Sequence, residues 1–102
     1  MESFHKSAEF LRLARETADK RGYDPDKLEL ATDGVHKLTY HSPKGIKHFG
    51  RLGYGDYIWY STHDKAIADK KRAVFRRSHS TISEKYDLDK YSPNELAINI
   101  LW

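Results

Sequence analysis

Six histidines, at positions 5, 36, 41, 48, 63 and 79, are the residues best suited to acid–base or metal chemistry. None of them stands in an H-x-x-x-H spacing, which would set two rings on one helix face, and the chain has no cysteine to complete a soft ligand set. His36 and His48 can face each other across adjacent strands, but a histidine on a small sheet is usually structural. Asp64 beside His63, and Asp56 between Tyr54 and Tyr57, can each be written as a general base with its orienting partner. Such work needs a pocket that a 102-residue domain seldom offers, and Asp64 reads more simply as a carboxylate at the positive end of a helix. The run Gly50-Arg51-Leu52-Gly53-Tyr54-Gly55 has neither phosphate-loop spacing. The expectation is a non-enzymatic protein with no catalytic residues, no metal ligands and no cofactor.

Charge distribution is more informative. From His36 to Ser80 the chain carries ten Lys and Arg against three Asp, whereas the whole chain has a net charge of only +3 and the segments on either side are each acidic. A local excess of this kind steers and holds anionic partners, whether nucleic acid or an acidic protein surface. The candidate contact residues are Lys44, Lys47 and Arg51 near the sheet, with Lys70, Lys71, Arg72, Arg76 and Arg77 on a central helix. Tyr54, Tyr57 and Trp59 either stack on unpaired bases or fill the core.

The elements that must position these residues follow from periodicity and punctuation. Phe10, Leu13, Ala14, Thr17 and Ala18 keep helical spacing from Ser7 to Arg21, and Gly22 stands where a C-terminal cap belongs. Three short strands are expected at Leu28–Thr32, Val35–His41 and Gly45–Phe49, joined by Asp33-Gly34 and by Ser42-Pro43-Lys44-Gly45. Tyr57-Ile58-Trp59-Tyr60 reads as a fourth strand or a buried extended segment. A second helix, capped by Ser61 or Thr62, should run to about Ser78 with Ile67, Lys71 and Val74 on one face. Ser92-Pro93-Asn94-Glu95 is a helix start, with Ser as cap and Pro at the first helical position. The helix it opens carries Leu96, Ile98, Ile100, Leu101 and Trp102, a hydrophobic anchor for the fold or for a partner. The sum is one α+β domain over residues 1–102: a three- to four-stranded antiparallel sheet packed by an N-terminal helix, a central basic helix and a short C-terminal helix. No stretch has the roughly 18 apolar residues of a membrane span or the character of a signal peptide. The absence of cysteine suits a reducing compartment.

One motif carries a resemblance. Lys47-His48-Phe49-Gly50-x-x-Gly53-Tyr54-x-Asp56-Tyr57, followed by Asp64, Lys71-Arg72 and Arg77-Ser78-His79, resembles a family of small basic proteins encoded by large DNA viruses of algae and protists and by related viruses. That family's pattern is K-x-H-F-G-x-x-G-Y-x-D-Y and then a charged helix ending near Arg-His, from which His79 is displaced by one residue. The tail from Lys90 to Trp102 is similar to that of a subset of its members. The resemblance implies a context, not an activity: a virion-associated structural protein, shell or core, localised to the virion and to host cytoplasm or nucleus during assembly. Its partners would be viral structural proteins or nucleic acid, and a free nucleic-acid-binding protein is the alternative.

Overall fold

A computed structural model describes the backbone of residues 1–86 and 89–102 and the side chains of residues 1–79 and 89–102. The chain opens with a single helical turn, α1 (Glu2–His5), and a thirteen-residue helix, α2 (Ala8–Lys20). Ser7 separates them: its hydroxyl accepts from the Phe10 amide and donates to the Phe4 carbonyl. α2 stops because Gly22 takes φ +85°, which lets the Tyr23 amide turn back to the Ala18 carbonyl at 2.9 Å.

After a 3₁₀ turn (Pro25–Lys27) come β1 (Leu28–Leu30), β2 (His36–Ser42) and β3 (Gly45–Arg51), an antiparallel meander in the order β1-β2-β3. Leu30 pairs with Leu38 and Leu38 with Phe49, which sets one apolar row across all three strands. The first connection is tied by Asp33, whose Oδ1 accepts from the amides of Val35 and His36. The second is a two-residue loop, since Ser42 pairs with Gly45. β2 is central and buried at four consecutive residues, Lys37 to Tyr40, so period-two alternation is lost there.

The segment expected as a fourth strand is instead a short helix, α3 (Tyr57–Ser61). Asp56 causes this by accepting from the Trp59 amide at 2.8 Å, a side-chain cap that outweighs the strand preference of four bulky residues. The expected cap of the next helix is also corrected. Thr62 donates to the Trp59 carbonyl and closes α3, and the Asp64 carboxylate accepts from the amides of Ala66 and Ile67 to start α4 (Lys65–Tyr86). α4 runs eight residues beyond the expected end at Ser78. α5 (Pro93–Leu96) begins with Ser92 as cap, as read from the sequence, and widens into a π-type turn over Ala97–Leu101.

Phe10, Ala14 and Ala18 of α2, Leu28, Leu38, Tyr40 and Phe49 of the sheet, Ile58 of α3 and Leu96, Ile100 and Leu101 form one buried core. The C-terminal anchor is therefore spent inside its own domain, with Ile98 also buried and Trp102 half-buried. Close packing of that tail requires glycine at position 50: with φ +72°, a Cβ there would lie 2.6 Å from Leu101 Cδ1. No helix among the described residues is long and apolar enough to cross a membrane.

Candidate functional site

Two constellations stand out, one inside the fold and one on its surface. The internal one centres on Asp56, which is wholly buried. Its Oδ2 lies 2.8 Å from His5 Nε2 and accepts from Lys37 Nζ at 2.9 Å, while Oδ1 caps α3. Burial pushes the Asp56 carboxyl up, but the His5 hydrogen bond, the Lys37 ammonium and the Trp59 amide outweigh it and hold its pKa below the usual carboxylate value. An ionised carboxylate can only accept, so His5 carries a proton on Nε2. Neither ring nitrogen makes a hydrogen bond of full geometry among the described residues, Nε2 being held by its closeness to the carboxylate, and the ring lies between Phe4 and Phe10. The arrangement ties α1, β2 and the cap of α3 to one point. Both partners of Asp56 are themselves buried, at 1% exposure for His5 and 3% for Lys37, so the site is a structural tie sealed from solvent. Sequence reading singled out Asp56 only as a base beside two tyrosines; its real partners are 51 and 19 residues away and no spacing rule joins them.

The surface constellation is built on α4, which packs on α3 and on the C-terminal segment. Its arginines turn toward that segment: Arg72 Nε and Arg76 Nε donate to the Trp102 carbonyl at 2.6 and 3.1 Å. The Arg72 guanidinium also lies 3.6 Å from the Tyr57 ring centre. Burial, with Arg21 and Arg72 nearby, pushes Arg76 down from the usual guanidinium value. Lys65 donates to the Tyr57 hydroxyl, which donates in turn to Asp69 and, with Lys65, holds Asp69 below the usual carboxylate range.

The cations expected to act together fall into two groups. Lys44, in the loop between β2 and β3, is ion-paired with Asp89, and Lys47 contributes to the same carboxylate's lowered pKa, so these two lysines collect around one exposed acid of the same chain. Arg51 ends β3 and is exposed. On α4, Lys70 and Lys71 are exposed, the Lys71 ammonium lying 5.6 Å from the Tyr60 ring centre, Arg72 and Arg76 face Trp102, and Arg77 is exposed. The rings divide too. Tyr54 is 64% exposed, whereas Tyr57, Trp59 and Tyr60 are half-buried around α3.

Sequence reading did not expect the groove that α4 borders. Ile67, Lys70, Lys71, Val74, Phe75, Ser78, His79 and Trp102 line a surface cavity of about 560 Å³. Its floor is a stack of three rings, with Phe75 3.7 Å from His79 and 4.5 Å from Trp102, nearly parallel to both. Ile67 and Val74, one heptad apart, are 46% and 57% exposed on its wall. The shared face of Ile67, Lys71 and Val74 was legible in the sequence; that it points to solvent was not.

His63 lies against Trp59 with ring centres 4.2 Å apart, Asp64 is committed to the α4 cap, and both are exposed. Among the described residues no group of three or more His, Cys, Asp or Glu side chains is placed to hold a metal ion. No family model matches the chain, and no curated protein or solved structure matches it.

Proposed function

We propose that the chain is a non-enzymatic interaction protein, virion-associated as the motif resemblance implies, and that it docks through the outward stripe of α4. The observation that carries this reading is the pair of exposed aliphatics, Ile67 and Val74, set at heptad spacing beside an aromatic-floored groove and flanked by Lys70 and Lys71. Apolar contact supplies affinity and the two ammonium groups select an acidic partner and repel a basic one. The occupant that matches is an amphipathic helical segment with acidic residues beside its apolar face, the helix-in-groove mode of recognition.

Nucleic acid is the second reading, favoured by the exposed Lys70 and Lys71 beside stacked rings. It is weakened by the use of Arg72 and Arg76 as internal donors and of Lys44 as an ion-pair partner. Titrating isotope-labelled protein with an acidic amphipathic model peptide, and separately with a single-stranded oligonucleotide, distinguishes the two. The docking reading expects peptide-induced amide shifts confined to residues 67–79 and Trp102, and loses them in Val74→Glu. Shifts with the oligonucleotide alone, weakening steeply with salt, would replace it by the nucleic-acid reading.

A further inference from the structure

The outer surface of the sheet carries a histidine pair with an oxygen partner on each ring. His36 opens β2 and His48 lies on β3, and their ring centres are 5.8 Å apart with planes 24° from parallel. In each ring Nδ1 is already engaged by an oxygen: His36 by Asp33 Oδ2 at 2.6 Å, His48 by Thr39 Oγ1 at 2.8 Å. The Asp33 carboxylate can only accept, so Nδ1 of His36 bears a proton, and in the neutral form of the ring Nε2 then carries the lone pair. The Thr39 hydroxyl can accept in the same way from His48. An oxygen partner on the far nitrogen is the outer-shell arrangement that fixes tautomer and ring orientation in metal-ligating histidines. Asp33 is itself held by two backbone amides, and Thr39 is buried in the central strand.

We propose that His36 and His48 form a two-histidine site for a borderline divalent transition ion such as Zn²⁺, with water completing its coordination. Nitrogen–zinc bonds of about 2.0–2.1 Å to two imidazoles in tetrahedral geometry set the ring centres roughly 5–6 Å apart, the separation this pair already has. Harder ions are disfavoured, since both donors are imidazole nitrogens. With two protein ligands the site binds reversibly and leaves positions open to solvent or to a further donor. Arg51, the register partner of His36, opposes a cation there, and the Asp33 carboxylate on the other side of the ring offsets it.

The test is calorimetric titration of the whole chain with Zn²⁺ alone, read in parallel by ring ¹H–¹⁵N spectra. The proposal expects one ion per chain, simultaneous shifts of the His36 and His48 ring signals, and roughly tenfold or greater loss of affinity in His36→Gln and in His48→Gln, because each variant removes the chelate. His41→Gln, on the same two-stranded surface, should bind as the parent does. Both histidines are partly exposed, so the variants should fold, and circular dichroism confirms it. Affinity within twofold of the parent in either variant, shifts at other histidines, or no heat with Zn²⁺ overturns the proposal.

Discussion

Replacing Asp56 by alanine removes three interactions at once, and their sizes can be set out from the geometry. The Lys37 ammonium, 3% exposed, loses its carboxylate, and stripping one partner from a buried ion pair costs about 3–5 kcal/mol. The Trp59 amide loses its cap acceptor, a further cost of about 1 kcal/mol. The buried His5 ring loses the carboxylate oxygen 2.8 Å from its Nε2. A domain has only about 5–15 kcal/mol in total, so Asp56→Ala should remove most of the stability margin. Lys37→Met alone should cost less, because the carboxylate keeps His5 and the Trp59 amide. The double variant should be more stable than Asp56→Ala, since it no longer buries an unpaired ammonium. Urea unfolding followed by circular dichroism gives the three free energies. A loss below about 1 kcal/mol for Asp56→Ala, or strict additivity in the double variant, would refute the claim that this pair is a coupled buried tie.

The same carboxylate gives the protein an acid limb. Its folded pKa is depressed, so its contribution is fully present above the unfolded value near 3.9 and is lost as pH falls through the folded value; melting temperature against pH should drop there, and Asp56→Asn should flatten the drop. Gly50→Ala meets both an unfavourable positive φ and Leu101 Cδ1, and should destabilise by about 1–3 kcal/mol in thermal unfolding, whereas Gly34→Ala, with open space around its Cβ, should cost less. Val74→Glu and the pair Lys70→Glu with Lys71→Glu alter exposed side chains, the second giving up only the Lys71 contact with the Tyr60 ring, and should change stability by less than about 1 kcal/mol in the same assay. A large loss would mean that this face is part of the fold rather than a surface kept for a partner.

Local chemistry made much of the fold legible. Ser7, Gly22 and Ser92-Pro93 marked helix ends because a cap is a matter of one side chain and a few neighbouring backbone groups. The meander was legible from turn residues and short β-rich runs, with boundaries off by one or two positions. α3 is hidden in the sequence because five residues give no helical period, and the rings of Tyr57, Trp59 and Tyr60 suggest a strand; the one sequence signal is an aspartate three residues before Trp59. At the surface, sequence located the cationic helix but could not say which way each cation turns. Arg72 and Arg76 are drawn inward by the Trp102 carbonyl, and Lys44 by Asp89, partners that the chain brings close only on folding. The exposure of Ile67 and Val74 was hidden for the converse reason, since apolar residues at helical spacing are normally read as core.

Photo-cross-linking from position 74 in the protein's native assembly, with position 46 on the equally exposed Ile46 of β3 as reference, tests the docking face most directly. The α4 reading expects a covalent adduct from position 74 to a protein segment with acidic residues flanking an apolar face, lost when Lys70 and Lys71 are both changed to Glu, and none from position 46. Adducts to nucleic acid, or adducts from position 46 with none from position 74, would contradict it.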